Sequence, residues 1–367
     1  MKSILLTTTA LVAFAGAAAA DAHSGVSFAG DATLGYNTND TTGNDGFYWD
    51  AGMDVTMSAA LDNGVTASAT FGLNVVEDNL GEDVFSSDYV LSLSTDMASM
   101  SFGDVDPVAD ANWGGVSGSH LSFNDQDAHF DVVGNDAMLV GEATVAGITA
   151  ALSYGVNLDT TEEALEGLQV YASSDFGLAT VEVAYQEGID SIGTEAMYGV
   201  GASASVAGAD IGVAYLAMED ESSIGIDVAY PVGPVTVGGY YSMNDGADVE
   251  DAFGVSVDYA DGPIAVTAFY DVDGNTESLT DTDDSTEFGV EGSYDTGLGA
   301  TVYAGFISTT VGDADATSVS YVAGTYDLGG GAELLVSYGI DEDNTAGDEI
   351  GDPEYQKGLT AEVSFSF

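Results

Sequence analysis

Three histidines, His23, His120 and His129, are the only imidazoles among 367 residues, so general acid–base or nucleophilic chemistry at neutral pH would have to run through one of them. A serine hydrolase needs a serine, a histidine and an acid held in register. His23 sits beside a run of small residues near the N-terminus, and His120 and His129 sit in a polar stretch without that pattern. No zinc-ligand spacing, phosphate loop or dinucleotide fingerprint occurs, and G-x-G spacings carry no weight among 48 glycines. Catalysis is not expected.

Carboxylate is what the chain has in quantity, with 62 Asp and Glu against two lysines, Lys2 and Lys357, and no arginine. A formal charge of −60 excludes nucleic acid and basic-patch binding to anionic lipid, and it makes cations the natural partners. Two segments, Asp271-Val272-Asp273-Gly274-Asn275 and Asp341-Glu342-Asp343-Asn344, supply the hard oxygens that suit calcium. Gly274 stands fourth in its segment, where the helix-loop-helix calcium pattern needs glycine at the sixth place. Calcium is thus an optional ligand by chemistry, and no cofactor is required. A third acidic group, Asp106, Asp110, Asp125, Asp127 and Asp131, falls with His120 and His129 in residues 105–135. That is the longest stretch without regular alternation, and so long a loop is usually functional.

These side chains must be positioned by strands. In the last eleven residues Leu359, Ala361, Val363, Phe365 and Phe367 share one face, and Thr360, Glu362, Ser364 and Ser366 the other. A terminal strand with one greasy and one polar face needs two different surroundings, which lipid outside and water inside a closed barrel supply. Gly25 to Tyr36 alternates in the same way and could pair with it to close the ring. Between them a hairpin recurs about every thirty residues: Ile224 to Tyr230 returns as Val235 to Tyr241, and Phe253 to Tyr259 returns as Ile264 to Tyr270. Segments of about 9 to 12 residues, as a tilted membrane strand requires, number up to 20. An even count of 16, 18 or 20 would leave an aqueous lumen.

Short turns such as Asp62-Asn63-Gly64 and Gly329-Gly330-Gly331 alternate strictly with longer acidic loops, as short periplasmic turns and long external loops would. Tyr230, Tyr259 and Tyr294 precede short turns, whereas Tyr154, Tyr185, Tyr215, Tyr241 and Tyr270 precede long loops, each in phase with its strand's apolar face. Two such rows form an aromatic girdle at each membrane interface. Out of phase with the apolar positions, and so expected to face the lumen, are Asp31, Asp50, Asp54, Glu182, Asp227, Asp258, Glu287, Glu291 and Glu362.

The N-terminus offers Lys2, a mostly apolar run from Ile4 to Ala20, and Ala18-Ala19-Ala20 before Asp21, which is the order of a secretory signal peptide; cleavage after Ala20 or after Ala22 fits, and Ala20 is preferred. Residues 1–20 are read as that peptide and 21–367 as one barrel domain. Cleavage would leave only Lys357 against 62 carboxylates. There is no cysteine, hence no disulfide, and no other segment approaches the apolar length of a membrane helix.

With its leader, its first strand G-D-A-T-L-G-Y (Gly30 to Tyr36), S-F-G-D at Ser101 to Asp104, Y-D-L-G-G-G-A at Tyr326 to Ala332 and a Phe-terminated last strand, the whole mature chain resembles the Gram-negative general porins of the alphaproteobacterial, Rhodobacter type. The resemblance implies an all-β transmembrane antiparallel barrel, usually 16-stranded. It also implies a homotrimer in the outer membrane, both termini on the periplasmic side, an inward-folded third loop as constriction, often bound calcium, and a terminal Phe367 read as an assembly signal. Such a barrel passes small hydrophilic solutes and ions by passive diffusion. One departure is plain: the family sets basic residues opposite the acidic loop, and this chain has no arginine and only Lys357 in its mature part. An all-acidic lumen would prefer cations. Three alternatives stay open, namely an outward flap for residues 105–135, a solute-specific channel, and a secreted, calcium-stabilised β-solenoid.

Overall fold

The period-two alternation becomes one continuous antiparallel ladder. The computed structural model describes residues 24–38, 46–77, 85–123, 137–156, 165–189, 195–246, 249–274, 285–312, 314–341, 349–350 and 355–367. The strands are Ser24–Asn37 (β1), Gly46–Ala60 (β2), Thr66–Glu77 (β3), Phe85–Ser94 (β4), Ala98–Gly103 (β5), Ala137–Val145 (β6), Ile148–Val156 (β7), Leu165–Asp175 (β8), Thr180–Gln186 (β9), Met197–Val206 (β10) and Ala209–Met218 (β11). They continue with Glu221–Val232 (β12), Val235–Asp245 (β13), Ala252–Asp261 (β14), Ile264–Asp273 (β15), Ser285–Asp295 (β16), Ala300–Val311 (β17), Thr317–Gly329 (β18), Ala332–Asp341 (β19), Glu349–Ile350 (β20), Tyr355–Gln356 (β21) and Gly358–Ser366 (β22). Strands β20 and β21 pair only with each other. The remaining 20 form a single sheet, each beside its neighbour in sequence, and the ring closes where β22 meets both β19 and β1.

Closure removes every free edge, which is the one way a sheet can satisfy its backbone groups in lipid. The seam is firm. Gly30 and Phe367 exchange backbone hydrogen bonds at 2.8 and 2.9 Å, and the Phe367 ring lies over Gly30, where a Cβ would come within 2.9 Å of it. Twenty strands is the number that the alternation suggests, not the 16 that the family resemblance implies. The shortest strand of the ring, Ala98–Gly103, has six residues.

Outside the ring, Val213, Tyr215, Ile224, Ile226, Val228 and Tyr230 are all exposed on adjacent strands, as are Leu359, Phe365 and Phe367 at the closing strand. Apolar surface that extensive is a liability in water and a match for hydrocarbon. Tyr185, Tyr215, Tyr230, Tyr241, Tyr270 and Tyr294 are exposed on this face, and Tyr154 and Tyr259 half-exposed on it. Nine short connections lie at one end of the ring together with Ser24 and Phe367. Ala146-Gly147 is one of them, with both residues at positive φ (55° and 83°), the geometry that matches strand twist in a two-residue turn. The other end carries ten connections, one of which breaks the strict alternation expected from sequence: Glu219-Asp220 joins β11 to β12 directly. The β-solenoid alternative is corrected by this topology, since a solenoid stacks coils and does not close a hairpin ring.

Candidate pore constriction and inner wall

The stretch after β5 turns into the ring. Pro107 fixes the entry to a five-residue helix, Val108–Asn112 (α1), and the chain then runs on to Phe123 across the inner faces of β7 to β14. One 20-residue segment can touch eight consecutive strands only on the concave side. The outward-flap alternative is therefore corrected for residues 104–123. Val108, Ala109, Trp113, Val116, Leu121 and Phe123 are buried with Ala151, Tyr171, Ala184, Met197, Ala214 and Leu216 of the wall. Trp113 meets Phe123 edge-on with centroids 5.6 Å apart, and the wall makes room by having glycine under the indole: a Cβ on Gly199 would sit 2.8 Å from it.

Buried polar groups tie down the backbone of the loop, as backbone amides removed from water demand. Ser153 Oγ accepts from Val108 N (3.1 Å), and Gln169 Oε1 accepts from Ala109 N (2.7 Å) while its amide donates to Gln186 Oε1 (2.8 Å). Farther along, Ser242 Oγ donates to the Ser117 carbonyl (2.7 Å) and Asn244 Nδ2 to that of Gly118 (2.9 Å). None of these five side chains was picked out from sequence. Their one signal is an inward phase with neutral polar chemistry near the long-loop end of a strand.

Of the five constriction candidates, Asp106 is exposed and Asp110 half-exposed on the inner loop; Asp125, Asp127 and Asp131, with His129, lie outside the described residues. The register sets the lumen candidates Asp31, Asp50, Asp54, Glu182, Asp227, Asp258, Glu287, Glu291 and Glu362 on the same face as the loop. Glu182 has a task that sequence did not suggest, accepting from Gly114 N (3.4 Å) and from Tyr171 Oη (3.1 Å). Between loop and wall lies a water-accessible space of about 1200 Å³ whose acidic lining is Asp175, Glu182, Asp210, Asp227, Asp271 and Asp273. Of the two calcium segments, Asp271 to Gly274 and Asp341 are described and Asn275 and residues 342–344 are not. Among the described residues no group of three or more His, Cys, Asp or Glu side chains gathers as metal ligands would.

A local arrangement recurs three times on the inner wall. Tyr48 of β2 and Glu362 of β22 flank Gly35 of β1, and the phenol donates to the carboxylate across the glycine at 2.5 Å. Tyr240, Gly254 and Asp271 repeat it over β13 to β15, and Tyr321, Gly305 and Glu291 over β18 to β16, the last bond at 3.0 Å. Glycine is required because a Cβ would come within 2.0 to 2.3 Å of the ring. A phenol holds a carboxylate in place without cancelling its charge, whereas an arginine would neutralise it. Here the wall acids are positioned by neutral donors. Gly305→Ala is expected to evict the Tyr321 ring and cost on the order of 1–3 kcal/mol. An unchanged unfolding temperature in detergent would contradict that.

A family model described as Gram-negative porin matches residues 7–306. Matching solved structures include two triple mutants of the Rhodopseudomonas blastica porin, each 16% identical with a TM-score of 0.43. Another is a loop L8 deletion mutant of OmpT, an outer membrane protein of Vibrio cholerae, 12% identical with a TM-score of 0.42. Each covers 94% of this chain and 100% of its own. Among curated proteins no sequence matches. Because the family model spans well over half of the chain, the protein belongs to the Gram-negative porins.

Proposed function

We propose that this porin forms a water-filled channel for passive diffusion of small hydrophilic solutes and ions across the outer membrane, with a preference for cations. The observation that carries the reading is the charge of the inner wall. Carboxylates face the lumen both on the strands that the loop covers and on strands that it leaves open, β1, β2, β16 and β22, and the mature chain has no arginine and one lysine to offset them. Low-dielectric walls focus that potential and concentrate cations in the opening.

The same reading takes residues 1–20 as an export signal removed on the way out, the short-turn end as periplasmic, and Phe367 as the residue recognised during assembly. A homotrimer is supported by the height of the wall. Strand β5 has six residues, which rise about 20 Å at most, less than the roughly 25 Å apolar band of an outer-membrane barrel. A second copy would cover that notch. Calcium is an added, non-essential ligand suited to Asp271 and Asp273. No catalytic step is proposed: His120 does lie beside Ser223 and Glu221, but that hydroxyl is buried and donates to Asn244 Oδ1 at 2.5 Å, so it is not available as a nucleophile.

Planar-bilayer reversal potentials under a potassium chloride gradient test the proposal. Cation preference is expected on the order of tenfold near 0.1 M salt. It should fade toward unity at 1 M, where the Debye length is about 3 Å. Preference for chloride would refute it. A conductance that saturates with one organic cation would instead favour the solute-specific alternative, for which the acid-lined space beside the loop is the structural basis.

A further inference from the structure

His120 stands near the end of the described part of the inner loop, with its side chain only 6% exposed, and the channel assigns it no role. Its neighbours determine its tautomer. Asn244 donates from Nδ2 to the carbonyls of Gly118 (2.9 Å) and Glu250 (3.0 Å), so its Oδ1 is the acceptor turned toward the loop. The single proton of Ser223 Oγ goes to that Oδ1, and the backbone N–H of His120 donates there as well (3.3 Å). Both atoms within reach of His120 Nδ1, Ser223 Oγ at 2.7 Å and Asn244 Oδ1 at 3.2 Å, are therefore acceptors. Nδ1 carries the hydrogen. In the neutral ring Nε2 then holds a lone pair, and that atom is buried, has no hydrogen-bond partner and lies 3.7 Å from Glu221 Oε2. Two electron-rich atoms facing each other in a partly dry site call for a positive charge between them.

We propose that His120 Nε2 and Glu221 Oε2 are the protein ligands of a borderline divalent cation of the zinc class, completed by water, which staples the inner loop to β12. Tetrahedral zinc with bonds of about 2.0 to 2.2 Å sets such a pair of ligands roughly 3.4 Å apart, so the gap has to close by a few tenths of an ångström. The hydrogen bond from Nδ1–H to Ser223 is the support that metal-bound imidazoles characteristically have, because it fixes both tautomer and ring plane. An imidazole nitrogen selects zinc, copper or nickel over calcium. With two protein ligands and no larger cluster among the described residues, the site binds modestly and exchanges with the medium. It stands apart from the ion preference proposed above and does not depend on it.

The test is calorimetric titration of the full mature chain, folded in detergent, with zinc chloride. A background of about 10 mM calcium chloride occupies hard-oxygen sites of millimolar affinity. One zinc per chain is expected, with a micromolar dissociation constant that weakens at least about tenfold in both H120Q and E221Q and does not change in H129Q. X-ray absorption of the bound zinc should show a single imidazole. E221Q guards against a misfolded result, because Glu221 is about one-third exposed and the buried anchors of the loop lie elsewhere. Zinc binding that survives E221Q, or no saturable binding above the calcium background, would overturn the proposal and leave a proton as the charge in the gap.

Discussion

Replacing five inner-wall acids together, D31N, D54N, E287Q, E291Q and E362Q, is expected to reduce the cation preference of the channel from on the order of tenfold to about threefold or less at 0.1 M salt. All five lie outside the sector that the loop covers, on β1, β2, β16 and β22, so they line the part of the lumen that the loop leaves open. The one lysine or arginine among the described residues is Lys357, at the entry to β22, and each replacement preserves shape and a hydrogen-bond acceptor. Glu362 and Glu291 keep a partner in Tyr48 and Tyr321, and Glu287 in Thr309, which donates at 3.0 Å. The matched control neutralises five exposed acids of the long-loop end, Glu195, Glu219, Asp220, Asp245 and Asp315. If acidity is a general surface property suited to saline surroundings, both variants should shift selectivity equally. If the lumen sets the preference, the first should shift it severalfold and the second little. Equal shifts would remove the inner wall from the explanation.

What the sequence disclosed follows from what period two can encode. Alternation assigns each residue to a face, so the closing strand, the outward phase of the tyrosines and the inward phase of Asp31, Asp227 and Glu291 are legible in the sequence. Register is not encoded that way. The Tyr48–Gly35–Glu362 arrangement needs three strands aligned to the residue, two of them at opposite ends of the chain, and no single strand shows it. The tethers of the inner loop were hidden for the same reason. Gln169 reads as one more polar inward residue, and only the fold brings it to Ala109, sixty positions earlier. Glu182 illustrates the limit in the other direction: its face was legible, its hydrogen bond to the loop was not. The turn at Glu219-Asp220 misled because loop length is a statistical signature of the external side and carries no steric requirement at any one hairpin.

Releasing the inner loop is expected to produce the largest change in conductance. The double substitution W113A and F123A removes the edge-to-face pair at the centre of the contact between loop and wall. Each truncation of a buried aromatic costs about 3–5 kcal/mol, and their mutual contact adds about 0.5–1.5 kcal/mol. That loss falls on a local equilibrium, because the ladder of 20 strands neither begins nor ends in this loop, and the ring should survive while the loop undocks. Serine and glutamine tethers alone are worth about 1 kcal/mol each in net terms, which is too little to hold it. With the loop free, the lumen approaches that of an unobstructed 20-strand ring, so single-channel conductance should rise roughly twofold or more and larger neutral polymers should enter. The selectivity test then separates two contributions. The wall acids on β1, β2, β16 and β22 remain, so cation preference should fall only as far as a wider opening weakens the focusing of the field. A variant with intact β-structure and an undocked loop, shown by new protease cleavage between Asp106 and Phe123, but with an unchanged polymer cut-off, would mean that the constriction is made by the wall and not by this loop.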